Sequence, residues 1–319
     1  TEEEFCEDMA FLEPMVKELA KAVLLFSEIF SEMKKEKGIA DFSDMERVTD
    51  EIPEQARILA DKFWPGPLTM IVWKSDRVPD ATTGGMDTVA VRMPDHPVAL
   101  ELIRQSGCLI AAPSANTSGR PSPTEARHVA EDLSGKIAMI LDGGAVGIGI
   151  ESTIIDLTEE TPMVLRPGYI TPEMLSEALG QEVIIDPGII AADDTKKPKA
   201  PGMKYRHYAP KADMIIVDGE QQKVVDRINK FVQEKKALGG KTAVIATDET
   251  KDRYNADVVL SMGSREDEDS IAQHLYKILR ECDELEVGAI FSESFSTPRI
   301  GQAIMNRLLK AAAHQVIHV

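Results

Sequence analysis

The apolar positions of this chain first recur at helical spacing. Phe5, Met9, Leu12, Val16, Leu19, Val23, Phe26, Phe30 and Met33 follow one another every three or four residues, the mark of one apolar helix face over residues 4–36. Gly38 supplies a stop. A core-facing stripe explains this pattern; a partner-binding helix is the rival reading. From Ile39 to about Asp186 the rhythm changes to short apolar runs alternating with helical stretches. Pro53 opens a helix running to Phe63, since a proline at the first helical position sacrifices no hydrogen bond. Strands are predicted at Leu68–Trp73, Thr88–Arg92, Cys108–Ala111, Met139–Asp142, Ser152–Asp156 and Val164–Arg166. Helices fit His96–Gln105, Thr124–Asp132 and Pro172–Leu179. Turn residues separate them, as at Trp64-Pro65-Gly66-Pro67 and Asp142-Gly143-Gly144.

Residues 187–212 break the alternation. Pro187, Gly188, Pro198, Pro201, Gly202 and Pro210 make this a linker by composition. Its closing run Tyr205-Arg206-His207-Tyr208 is bulkier and more polar than a spacer needs. A second alternating pattern follows, with strands at Met214–Val217, Thr242–Ala246, Asp257–Leu260 and Ala289–Phe291. Helices fit Gln221–Lys235, Ser270–Cys282 and Arg299–Ala312. Strands that alternate with helices imply parallel pairing in a small doubly wound, Rossmann-like sheet. The predicted class is α/β, in four parts: a helical segment over 1–38, an α/β domain over 39–186, a linker over 187–212 and a smaller α/β domain over 213–319.

Composition narrows the function classes. No apolar run approaches the roughly 20 residues a membrane span needs; Ala20–Phe30 is interrupted by Lys21 and Glu28. The first residues are acidic where a secretory signal is basic. Cys6, Cys108 and Cys282 are odd in number and isolated, which fits reduced thiols in a cytoplasmic protein. The net charge of −18 argues against direct tRNA binding, which basic surface drives. It leaves room for a small anion in a local pocket.

Three clusters offer chemistry for such a pocket. The loop Ala112-Pro113-Ser114-Ala115-Asn116-Thr117-Ser118-Gly119-Arg120-Pro121-Ser122 collects short polar side chains and main-chain N–H groups before a helix start. It is either an oxyanion cradle or a capped strand-to-helix connection. Thr88-Val89-Ala90-Val91-Arg92 ends a strand on a guanidinium, able to clamp a carboxylate or phosphate or to make a surface ion pair. Gly147-Ile148-Gly149-Ile150-Glu151-Ser152-Thr153 runs a glycine-rich turn, which lets backbone approach a ligand, into a hydroxylic strand. Arg166 ends the strand that follows. Together they suggest an anion site at a sheet edge. There is no dinucleotide or Walker fingerprint and no serine-hydrolase elbow. The six histidines form no metal-ligand pattern, so no protein-held metal is expected, and the acidic runs read as solvated.

In this order, Phe63-Trp64-Pro65-Gly66-Pro67-Leu68-Thr69, Val91-Arg92-Met93-Pro94, Pro113-Ser114-Ala115-Asn116-Thr117-Ser118-Gly119, Glu151-Ser152-Thr153-Ile154-Ile155-Asp156 and Leu165-Arg166-Pro167-Gly168 resemble the YrdC-like threonylcarbamoyl-AMP synthases. Ala200-Pro201-Gly202-Met203-Lys204-Tyr205-Arg206-His207-Tyr208-Ala209-Pro210 is similar to the linker of their two-domain form. The resemblance implies a YrdC-like twisted sheet over 39–186 and a reaction: L-threonine, bicarbonate and ATP give threonylcarbamoyl-adenylate and pyrophosphate. The product then passes to a separate tRNA-modifying complex. Magnesium is expected with the ATP phosphates. Carried over residue by residue, Thr88, Ser114, Ser122, Arg166 and Tyr208 would contact ATP, with Asn116 beside Ser114. Arg92 would hold the threonine carboxylate, and Ala112 and Ser152 would line the threonine pocket. Ser114, Asn116 and Arg92 are the catalytic candidates, and Tyr208 would close the linker over the nucleotide as a lid.

The family's opening Pro-Thr-Glu-Thr-x-Tyr-Gly-Leu loop and its Lys-x-Arg-Pro element have no counterpart here. Their lysine and arginine neutralise triphosphate charge. Lys34, Lys35 and Lys37 are the substitutes on offer. The rival to an active synthase is therefore a catalytically impaired YrdC-like protein that binds nucleotide or a partner. The 213–319 domain, whose Val217-Asp218-Gly219 is too short for a nucleotide loop, is expected to position the linker.

Overall fold

The computed structural model describes residues 45–190, 208–295 and 299–319. The helical reading of 4–36, the lysines at 34–37 and most of the linker lie outside these residues. Two five-stranded sheets organise the rest.

The first sheet joins β1 (Leu68–Trp73), β2 (Thr88–Val91), β3 (Thr153–Asp156), β4 (Met163–Arg166) and β5 (Ile184–Ile185) in the order β2-β1-β3-β4-β5. Pairing is mixed: β1 runs antiparallel to β2 and parallel to β3, while β3 and β4 are antiparallel. Strand β1 is apolar on both sides because both sides face protein. Leu68, Met70 and Val72 pack with Ala56, Leu59 and Ala60 of helix α1 (Glu54–Phe63). Ile71 turns the other way onto Ile154 and Leu165. Helices α2 (Pro97–Ser106), α3 (Ala126–Leu133) and α4 (Pro172–Leu179) follow in the chain. Thr171 caps α4 by accepting the Met174 N–H.

Two predicted strands do not form. Residues 108–111 and 139–142 carry no ladder, and Leu109, Ile110, Met139 and Leu141 are exposed. The side of the sheet carrying Ile71 has a core of only three buried residues. A strand is stabilised by its ladder and the layers facing it, and among the described residues these runs have neither.

The second sheet joins β6 (Asp213–Asp218), β7 (Thr242–Ala246), β8 (Val258–Ser261), β9 (Ala289–Glu293) and β10 (Val316–His318) in the order β10-β6-β9-β7-β8. Every pairing is parallel. Helix α5 (Gln221–Ala237) covers one face through Val224, Val225, Ile228 and Val232. Helices α6 (Glu268–Glu284) and α7 (Gly301–Ala311) cover the other through Ile271, Leu275, Ile304 and Leu308. The sheet is doubly wound, as the alternation of strands and helices requires.

Ile150 and Tyr208 belong to the same buried cluster as α6 and α7. The two sheets therefore share a core along the glycine-rich turn. A Cβ on Gly149 would lie 2.3 Å from the Gln273 Cα and 2.4 Å from the Ala272 carbonyl oxygen. The expectation that these glycines admit a ligand is corrected at Gly149, where the backbone approaches helix α6 instead.

Candidate active site

The ends of β1, β3 and β4 bring together groups far apart in sequence. The Ser152 hydroxyl lies 2.7 Å from the Thr69 hydroxyl, and both are buried. Arg166, at the end of β4, donates from Nε to the Ser152 carbonyl at 3.0 Å and from Nη2 to its Oγ at 3.1 Å. Antiparallel β3–β4 pairing aligns these residues, with Ile154 opposite Arg166. The Ser122 hydroxyl donates to Glu151 Oε1 at 2.7 Å. Ser122, Ser152 and Arg166 thus form one connected group.

Glu151 is its electrostatic centre. Burial pushes its carboxyl pKa up, but the charges of Arg307 and Arg166 prevail and bring it down to about 2. Arg307 donates from Nε to Glu151 Oε2 at 3.1 Å, with its own side chain fully buried. The Tyr276 hydroxyl reaches both carboxylate oxygens, at 2.9 and 2.8 Å. Both residues come from the second sheet's helices. Burial, then Glu151 and the neighbouring tyrosine, drives the Tyr276 pKa well up, so it stays a hydroxyl donor.

Tyr208 sits here too. It is buried, its backbone adopts a φ of 65°, and its ring meets that of Tyr276 at 5.1 Å between centroids. The next residue, Ala209, donates its N–H to the Gly119 carbonyl at 3.0 Å. The linker's end is thereby pinned to the Ser114–Ser122 loop. Asn116 braces that loop, donating from Nδ2 to the Thr117 carbonyl at 2.9 Å; its Oδ1 is buried without a partner. Asp132 of α3 accepts the Thr117 N–H at 3.0 Å and pairs with Arg120.

The remaining candidates are looser. Arg92 lies partly exposed just beyond β2, its inner part covered where Nε donates to the Gly66 carbonyl at 3.0 Å. Burial and the nearby charge of Arg166 lower its pKa, so the two guanidinium groups share one neighbourhood. Thr88 is half-buried on the edge strand opposite Trp73. Ala112 and Ser114 are exposed, on the stretch where the predicted strand fails. No described contact joins them to the Glu151 group.

The sequence reading missed Glu151, Tyr276, Arg307 and Lys310 as site residues. Lys310 lies one turn after Arg307 on α7. Burial first, then Arg307 and Arg166, lowers its pKa to about 8, against the pull of Glu151. Three cations, Arg166, Arg307 and Lys310, therefore act on the Glu151 carboxylate, and Arg92, itself faced by Asp95, feels Arg166 beside them. That local excess of positive charge, in a chain of net charge −18, suits a phosphate or carboxylate. Among the described residues no cluster of three or more His, Cys, Asp or Glu could hold a metal ion.

Residues 38–168 match the family model described as "Telomere recombination", and residues 170–313 that of the "Threonylcarbamoyl-AMP synthase, C-terminal domain". A Bacillus subtilis threonylcarbamoyl-AMP synthase is 48% identical over 280 residues, 88% of this chain and 79% of that protein. One from Pyrococcus abyssi is 49% identical over 282 residues, 88% and 80% of the two chains. The crystal structure of P. abyssi Sua5 complexed with L-threonine superposes with a TM-score of 0.82 at 47% identity, covering 88% of this chain and 80% of that one. The chain belongs to the threonylcarbamoyl-AMP synthase family. No helix among the described residues is long and apolar enough to cross a membrane.

Proposed function

We propose that this chain makes threonylcarbamoyl-AMP and pyrophosphate from L-threonine, bicarbonate and ATP. The observation that carries the reading is the convergence of Arg166, Arg307 and Lys310 on the linked Ser122–Glu151–Ser152 ends of the first sheet, with Arg92 near enough to Arg166 for their charges to interact. The amine of threonine adds to bicarbonate with loss of water, giving a carbamate. A carbamate oxygen then attacks the α-phosphorus of ATP, and the bond to the β,γ-pyrophosphate breaks. The protein's part in such a transfer is positioning and charge neutralisation.

Arg92 would take the threonine carboxylate, with Ser152 and Ala112 lining its pocket. Arg166, Ser122, Thr88 and Ser114 would hold the nucleotide, with Asn116 bracing the loop. Tyr208 would shield the adenylate from water. Magnesium enters as the ATP complex, since such ions are bound largely through substrate phosphates. The product is consumed in the cytoplasm by a separate tRNA-modifying complex, and the chain's net charge of −18 argues against its binding tRNA directly.

The test is pyrophosphate release from MgATP and bicarbonate, with and without L-threonine. Release should require threonine. Ser114→Ala or Arg92→Ala should cut it by on the order of 10²-fold, the scale on which a lost charge-stabilising donor acts. Nucleotide binding without threonine-dependent release would leave only the scaffold reading.

A further inference from the structure

Arg307 belongs to the second sheet's helix α7, yet most of its hydrogen bonds go to the first sheet. Nε donates to Glu151 Oε2 at 3.1 Å, and Nη2 to the Glu151 carbonyl at 3.4 Å. Nη1 donates to the Pro167 carbonyl and, at 3.3 Å, to Ala303 of its own helix. Glu151 immediately precedes Ser152, and Pro167 immediately follows Arg166. One guanidinium therefore grips both strands of the antiparallel β3–β4 pair at the end that carries the Arg166–Ser152 contact. Through the Glu151 carboxylate it also sets the acceptor for the Ser122 hydroxyl.

An ion pair with Arg307 fully buried and Glu151 largely so is a poor device for stability alone, because apolar side chains of similar volume often serve as well or better. What an apolar substitute cannot do is hold three separate backbone segments at fixed hydrogen-bond distances. The planar fork of an arginine can.

We propose that Arg307 is a positioning residue for the reaction, fixing Ser122, Ser152 and Arg166 from the second domain. The inference rests on the reaction proposed above. It gives the second domain a role in the site beyond holding the linker.

The pH dependence separates positioning from mere structure. Glu151 is faced by the Ser122 and Tyr276 hydroxyls, by Arg307 and Arg166, and at longer range by Lys310 and Tyr208. Ionised, it accepts from Ser122 and Tyr276 at full strength; protonation would weaken both bonds and remove the charge that Arg307 and Arg166 face. With Arg307 in place it is ionised at any practical pH. Without that charge burial meets less opposition, so the carboxyl pKa rises and an acid limb moves toward the working range.

The experiment compares Arg307→Met, Arg307→Lys and Arg127→Ala in the full chain. Arg127 pairs with Glu284 across the same interface at 2.7 Å but is exposed and makes no described contact with Glu151. ATP and L-threonine affinities are read by calorimetry, and threonine-dependent pyrophosphate release across pH 5–9. Arg307→Met is expected to weaken ATP at least about tenfold, one unit of pKa or 1.4 kcal/mol, and to add an acid limb to kcat/KM. Arg307→Lys should recover part of both effects, and Arg127→Ala should match the wild type. Arg307→Met with a lower unfolding midpoint but wild-type affinities and pH profile would reduce Arg307 to a structural tie. If that variant does not fold, Arg307→Lys decides, and wild-type kinetics and pH profile in it would overturn the proposal. Should the wild type release no threonine-dependent pyrophosphate, the reaction is wrong, and the ATP affinities alone still decide the positioning role.

Discussion

Arg280 of α6 and Asp132 of α3 meet with neither side chain exposed, Nη2 to Oδ2 at 2.9 Å. Arg280 also donates to the Pro121 carbonyl, from Nη2 at 2.7 Å and from Nε at 3.1 Å. Asp132 holds Arg120 and the Thr117 N–H. Removing the Arg280 charge leaves Asp132 to Arg120 and strips the buried Pro121 carbonyl of this donor, a loss of about 1–3 kcal/mol. Arg280→Met should therefore lower the urea unfolding free energy by that order. Arg280→Met with Asp132→Leu should cost at least as much, because Arg120 and the Thr117 N–H then lose this acceptor as well. A single-variant loss below about 1 kcal/mol would show that the two layers do not depend on this pair.

Acid should weaken the fold in two stages, by groups of the same sign. Burial, then the charges of Arg280 and Arg127, lowers the His128 pKa from 6.5 to about 4. A histidine that folds neutral resists protonation, so its contribution is complete above pH 6.5 and lost as pH falls toward 4. Glu151, lowered from 4.5 to about 2, adds a second loss below pH 4.5. Urea midpoints between pH 7.5 and 3 should fall continuously. The first leg should be absent in His128→Asn, whose amide oxygen can still accept the Thr124 N–H that Nδ1 accepts at 3.2 Å. An identical first leg in that variant would assign the acid sensitivity elsewhere.

The two described cysteines should differ in reactivity. Burial, then the nearby charges of Asp283 and Glu281, pushes the Cys282 thiol up to about 12, while Cys108 is exposed. Thiolate is the reactive form. In a Cys6→Ser background, a disulfide reagent should titrate one thiol in the native protein, lost in Cys108→Ser, and a second only after unfolding. Two thiols titrating at one rate would contradict the burial of Cys282.

The periodicity of the chain was enough to place the second sheet. Its strands are short apolar runs, its helices carry one apolar face, and both patterns are local. The first sheet was legible where a strand has neighbours, as at Leu68–Trp73. It was misread at 108–111, because apolar composition does not report whether a ladder partner exists. Ser122, Ser152 and Arg166 came from motif order. The groups that bind them together could not, since Arg307 and Glu151 stand 156 positions apart and Arg280 and Asp132 148 apart. Isolated charges within amphipathic helices look solvated, and only the meeting of the two layers buries them.

The glycine pair in Gly147-Ile148-Gly149 offers the sharpest test of that meeting. Gly149 adopts a φ of +82°, and a Cβ there would meet the α6 backbone at 2.3–2.7 Å, whereas a Cβ on Gly147 would find nothing within 4 Å. Backbone cannot yield as a side-chain tip can, so Gly149→Ala must shift the turn away from α6. That shift would carry Glu151, two residues on, away from Arg307 and Tyr276. Gly147→Ala should be near neutral, within roughly 0.5–1 kcal/mol either way. Gly149→Ala should cost at least about 2 kcal/mol, combining strain at positive φ with lost packing. It should also loosen ATP binding in the same direction as Arg307→Met, since both release the same carboxylate. Equal stability of the two alanine variants in urea would mean that the turn does not press on α6, and that the tie from Glu151 to the second domain is looser than these distances require.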